Sequence, residues 1–133
     1  MNSEVKQMSV MDFSEMFRLQ EELQARHPEW GGLVPGRAKD QLLWTFEEMG
    51  EIVAIFKKKG LDEMLEQGEV RSCFLEELCD VFMYLNDVML CMGVTPEELT
   101  EAYRGKFHYN MKRDWEKQNA LLFTHSSLEE SET

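Results

Sequence analysis

The feature that most constrains the fold is a pair of long segments, 38–58 and 71–92, in which apolar and acidic residues both recur at helical spacing. No run alternates apolar and polar residues between turn signals, so nothing in the chain reads as a strand. On a helical wheel of about 100° per residue, the first segment lines up Leu42, Phe46, Met49, Val53 and Phe56 as one apolar stripe. Roughly opposite runs a second line, Trp44, Glu48, Glu51 and Ile55. The other segment repeats the arrangement. Phe74, Leu78, Leu85, Met89 and Met92 make its main apolar stripe, and a second line carries Cys73, Glu77, Asp80, Tyr84, Asp87 and Cys91. The expected fold class is all-α, a helical bundle of four to five helices per chain. Apolar residues on two sides of both helices exceed what one chain can cover, so a homodimer or a dimer of dimers is expected.

Local signals set the boundaries. Asp12 is a good N-cap for a first helix running to about Ala25. His27 to Gly36, with two prolines and three glycines, reads as a loop. The second helix spans Ala38 to Lys58 and closes with Lys57, Lys58 and Lys59 before Gly60, which the pattern assigns as a C′ glycine. Leu61 to Gln67 adds a short helix. The third runs from about Arg71 to Met92 and stops at Gly93. Thr95, Pro96 and Glu98 form a capping box for the fourth, which extends to about Gln118. Residues 1–125 read as a single domain, and the acidic stretch 126–133 as a disordered tail.

Charge narrows the partners. A formal net charge of −12 opposes binding to a nucleic-acid backbone. It leaves room for a nucleoside triphosphate, provided divalent cations stand between carboxylate and phosphate. No apolar run approaches a membrane span, and the N-terminus has no apolar signal core. Cys73, Cys79 and Cys91 are odd in number and lack CxxC spacing. They read as small core residues of a reducing, cytoplasmic protein. No Cys/His pair has zinc-ligand spacing. A di-iron bundle needs Glu-x-x-His motifs, whereas Gln24, Gly105 and Leu122 precede the three histidines by three.

The two acidic pairs, Glu48 with Glu51 and Glu77 with Asp80, each stand three residues apart and so are neighbours on one helix face. Like charges at this spacing disfavour a helix, and burial without counter-charge costs far more. Solvated faces of acidic helices are one explanation. The other is a site for a hard cation such as Mg²⁺, with Mn²⁺ as a substitute, since oxygen-only donor sets select these ions.

The order of motifs resembles the MazG-like branch of the all-α NTP pyrophosphatases, whose pattern is EExxE followed by ExxD. Here it reads Glu47-Glu48-Met49-Gly50-Glu51, then Glu77-Leu78-Cys79-Asp80 within FLEELCDVFMYL. A basic K-x-x-x-N-x-x-R motif follows as Lys106, Asn110 and Arg113 within KFHYNMKR. The resemblance spans Leu42 to Arg113. It implies a helical bundle completed by oligomerisation and hydrolysis of a nucleoside triphosphate to the monophosphate and pyrophosphate. It further implies Glu48, Glu51, Glu77 and Asp80 as metal ligands, and Lys106, Asn110 and Arg113 as contacts to phosphates or ribose. Glu47, four before Glu51, is the candidate general base. Asp87 departs from the asparagine common at that place in the family. Trp30, Trp44, His27 and Tyr109 are candidates to stack on a base. Two alternatives stay open: a non-catalytic acidic interaction protein, and a pyrimidine-specific dUTPase-like or dCTPase-like diphosphatase of the same superfamily.

Overall fold

Asp12 begins the regular structure. Its Oδ1 accepts the Glu15 backbone N–H at 2.9 Å, satisfying one of the free donors at the start of helix α1, Phe13–Arg26. The computed structural model describes residues 9–121, and all regular structure among them is helical. The proline-glycine stretch after α1 holds two short 3₁₀ turns, Pro28–Trp30 and Pro35–Arg37. Helix α2 then spans Ala38–Lys58, the bounds expected from its periodicity. The short α3 covers Leu61–Leu65, and α4 covers Glu69–Cys91. Helix α5, Pro96–Lys112, opens with the Thr95 hydroxyl accepting the Glu98 N–H at 3.1 Å, the first half of the expected box. The proposed tail at 126–133 lies outside the described residues.

Three details differ from the sequence expectation. Gly60 has φ −72 and ψ 150, so it is extended backbone leading into α3, and no left-handed cap closes α2. Helix α5 stops at Lys112 rather than continuing to Gln118. Asp114 Oδ1 accepts the Lys117 N–H at 3.0 Å and so starts a separate helical segment, α6, over 115–121. A second N-cap inside an apparently continuous helical pattern is a competing local bond, and here it wins. Finally, Cys73 and Cys79 are exposed, and of the three free cysteines only Cys91 is buried.

The chain divides into two compact units between Glu98 and Leu99. In the first, α2 and α4 make the most extensive packing, and α1 lies against α4. Burial in this unit is inverted. Gln20, Gln24, Gln41, Thr45, Asn86 and Asp87 are buried, whereas the buried apolar residues are Phe17, Ala38, Met64 and Cys91. The apolar stripe of α2 faces outward: Phe46 is 65%, Val53 55% and Phe56 53% exposed. The acid-bearing lines of α2 and α4 therefore face each other, and Trp44 meets Tyr84 edge-on at 6.0 Å between them. In the second unit Lys106 and Arg113 both lie over aromatic rings. The Lys106 ammonium stands 4.9 Å from the Tyr109 ring, and the Arg113 guanidinium 3.9 Å from Trp115.

Helix α4 ends on a full Schellman pattern. Gly93 N–H donates to Leu90 O at 3.1 Å and Val94 N–H to Met89 O at 2.9 Å, with Gly93 at φ +71. This backbone is strained for any residue with a Cβ. Gly93→Ala is expected to lower stability by about 1–2 kcal/mol, read as a lower urea midpoint with unchanged slope. An unchanged midpoint would contradict this account of the turn.

Candidate active site

Glu48 on α2 and Glu77 and Asp80 on α4 come together because the two acid-bearing lines form the helix–helix seam. Each offers a carboxylate oxygen, and the three oxygens lie within 4.8 Å of one another. None of them takes part in an ion pair with lysine, arginine or histidine among the described residues. Glu51 stands one turn along α2, exposed and outside this trio, yet near enough for its charge to act on Glu48. Glu47 is exposed too.

The electrostatics record the crowding. Glu48 is pushed above its ordinary pKa of 4.5, first by burial, then by a hydrogen bond with Glu77, then by the charges of Asp80, Glu77 and Glu51. Tyr84 is raised by burial and by the neighbouring carboxylates, Glu48 foremost. A cluster of oxygen donors with excess negative charge and no basic partner suits a small divalent cation. Glu48, Glu77 and Asp80 therefore fit Mg²⁺ or Mn²⁺ by the chemistry of the donor set.

Glu48 and Asp80 also line a cavity of about 670 Å³ in the first unit, a volume in the range of small-molecule pockets. Trp30, Trp44 and Tyr84 give it aromatic walls, and Gln20, Gln24, Gln41, Arg37 and Asp87 give it polar ones. Asp87 is 3% exposed. Its Oδ1 accepts from Gln20 Nε2 at 2.8 Å and its Oδ2 from Gln24 Nε2 at 3.1 Å. Burial raises its pKa, and the two glutamines and the Arg37 charge oppose that shift. Arg37 is itself anchored, donating to Gly32 O at 2.6 Å.

Of the four aromatic candidates, Trp30 and Trp44 line this cavity. His27 stacks on the Trp30 ring at 4.2 Å. Tyr109 belongs to the second unit, as do Lys106, Asn110 and Arg113. There Arg113, just past the end of α5, bonds Gln118, and Asn110 keeps a buried side-chain oxygen without a hydrogen-bond partner. The residues that sequence reasoning passed over are Gln20, Gln24, Gln41 and Arg37. A signal for two of them exists: Phe13, Phe17, Gln20 and Gln24 follow one helical stripe, so two glutamines occupy the buried face of α1.

The family model for dATP/dGTP pyrophosphohydrolases matches residues 38–124, well over half of the chain. The chain belongs to this family. It is a nucleotide pyrophosphohydrolase of the MazG-like all-α superfamily, a hydrolase acting on acid anhydrides. That membership decides for an enzyme and against a non-catalytic interaction protein. No curated protein and no solved structure matches the chain.

The raised pKa of Glu48 has a definite sign. The folded chain holds this proton more tightly than the unfolded one, so the group costs stability as pH rises through a window that opens near 4.5. Glu48→Gln removes that dependence. In EDTA, urea unfolding is expected to show Glu48→Gln gaining on the wild type as pH rises from about 4.5 to neutrality. A stability difference that stays flat over that range would show that Glu48 is not held in a repulsive cluster.

Proposed function

We propose that this pyrophosphohydrolase acts on the purine deoxynucleoside triphosphates dATP and dGTP, releasing the monophosphate and pyrophosphate, with Mg²⁺ as cofactor and Mn²⁺ as a substitute. The observation that carries the reading is the convergence of Glu48, Glu77 and Asp80, two of which line an aromatic-walled cavity. The purine assignment rests on the description of the matching family.

Glu48, Glu77 and Asp80 would hold the cation, with Glu51 as a fourth ligand one turn along α2. When bound, Mg²⁺ neutralises phosphate charge and makes an attacking water more acidic. The chain's own groups supply the rest. Trp30 and Trp44 offer ring faces to a base. Glu47, whose charge reaches the cavity residue Tyr84, takes the proton from water as its oxygen bonds to the α-phosphorus. The bond from that phosphorus to the bridging oxygen breaks, and pyrophosphate leaves with the bridging electron pair. Lys106, Asn110 and Arg113 would contact phosphates or ribose, Arg113 with a planar fork suited to phosphate oxygens. The family match runs across the division between the two units, which supports treating 1–125 as one functional domain. The free thiols Cys73, Cys79 and Cys91 accord with a cytoplasmic location.

Pyrophosphate release from dATP and dGTP tests the activity. It is expected with Mg²⁺ and lost with EDTA. Glu51→Gln and Asp80→Asn should each lower kcat/KM by at least about a hundredfold, since losing several kcal/mol of metal-assisted charge stabilisation costs a factor of ten per 1.36 kcal/mol. The double variant should be little worse than either single one, because ligands of one metal act as a unit. Wild-type rates from a still-helical Glu51→Gln protein would end the assignment of that ligand.

The exposed α2 stripe supports a second part of the proposal, that the working unit is a homo-oligomer, at least a dimer. Light scattering at micromolar concentration is expected to give a multiple of the 15.7 kDa chain mass. Val53→Asp should shift it towards the monomer. A monodisperse wild-type monomer would contradict this part.

A further inference from the structure

The cavity floor carries more hydrogen-bond acceptors than the protein itself can satisfy. Gln41 is 1% exposed and Gln24 is 5% exposed, and the Oε1 of each is buried without a hydrogen-bond partner. Both residues line the cavity. Between α1 and α4 sits the Asp87 carboxylate, each oxygen of which accepts one glutamine amide and retains capacity for a second donor. Buried acceptors of this kind are normally paired, and two of them on one cavity suit a ligand that brings donors. Arg37, on the same cavity, supplies the opposite character: a fixed cationic donor.

Base edges differ in what they bring. Guanine carries N1–H and the N2 amino group side by side, next to the O6 acceptor. Adenine carries an acceptor at N1 and a single amino group at C6. Hypoxanthine keeps N1–H and O6 but lacks the N2 amino group. A carboxylate takes two adjacent N–H groups in bidentate fashion, and a guanidinium suits an O6 or N7 acceptor. Adenine at the same place would set its N1 lone pair against an anionic oxygen.

We propose that Asp87, braced by Gln20 and Gln24 and flanked by Gln41 and Arg37, reads the base and selects guanine over adenine. Asp87 takes the N1–H and N2–H donors, the Gln41 oxygen takes a remaining amino hydrogen, and Arg37 faces the O6 side. The inference rests on the proposed nucleotide site and deepens it. It also assigns specificity to elements beyond the family match, because Gln20, Gln24 and Arg37 all precede residue 38. Within one family, substrate choice would then be set by what α1 and the following loop bring to a shared α2–α4 site.

The test separates base reading from catalysis by removing phosphate and metal. Deoxyguanosine, deoxyinosine and deoxyadenosine are titrated into the full chain in EDTA, with tryptophan fluorescence as the readout. Affinity is expected to fall in that order, with about a tenfold to hundredfold gap between the first and last, the usual worth of one bidentate edge contact. Asp87→Asn should shrink that gap by about tenfold or more. Gln41→Met should weaken deoxyguanosine more than deoxyadenosine. Equal or tighter binding of deoxyadenosine to the wild type overturns the inference, as does an unchanged gap in folded Asp87→Asn. If a variant fails to fold, the three-nucleoside order in the wild type decides alone. Parallel rates with dGTP, dITP and dATP in Mg²⁺ keep the two claims apart. Turnover without base preference sinks the guanine reading and leaves the hydrolase standing. A guanine preference in binding without any turnover sinks the proposed activity and leaves the pocket.

Discussion

Three carboxylates with oxygens inside 4.8 Å, on two helices that pack along the same seam, are the constraint on which the rest of this structure depends. Two unit charges about 4 Å apart repel by roughly 4 kcal/mol at an effective dielectric of 20. Protonation relieves part of that, and this relief adds to burial in holding the Glu48 proton above the ordinary range. A divalent cation would relieve it more fully and at neutral pH. The arrangement is thus poorly suited to be a scaffold for its own sake and well suited to a metal-dependent reaction on a polyanion. A cation held there would also reconcile a net charge of −12 with a nucleotide substrate.

The inverted burial follows from the same choice of seam. When α2 and α4 turn their acidic lines inward, Gln41, Thr45, Asn86 and Asp87 are carried into the interior with them. Leu42, Phe46, Met49, Val53 and Phe56 are then left on the outside. A polar interior needs its hydrogen bonds satisfied, and α1 does part of this by presenting Gln20 and Gln24 to Asp87. An apolar exterior needs covering, which is the physical case for a second copy of the chain. The carboxylate cluster and the exposed apolar stripe are two consequences of one packing arrangement.

Much of this was legible in the sequence. The bounds of α2, the Asp12 cap and the Thr95 cap follow from local chemistry, and the structure reproduces them. The pairs Glu48/Glu51 and Glu77/Asp80 stood out because acids bracketed by apolar residues are unusual on a simple solvated face. What periodicity does not encode is which face packs. Spacing identified both stripes of α2, and nothing in it said that the acid-bearing one would be the internal seam. Asp114 was hidden because KFHYNMKRDWEKQ keeps helical spacing across the break, so one capping bond outweighed the pattern. Cys73 and Cys79 sit among apolar neighbours in sequence, yet their places on α4 point to solvent. The glutamines of α1 were passed over because a buried amide is meaningful only once its partner, Asp87, is known to lie opposite.

The central claim is that Glu48, Glu77 and Asp80 form a divalent-cation site in the folded chain before any nucleotide arrives. Electron paramagnetic resonance of Mn²⁺ titrated into the nucleotide-free protein at neutral pH reads it most directly, because bound Mn²⁺ loses the sharp six-line signal of the free ion. The account predicts saturable loss of that signal in the wild type, reversed by excess Mg²⁺ and greatly weakened in Asp80→Asn. A signal that grows with added Mn²⁺ as it does in buffer alone would contradict it.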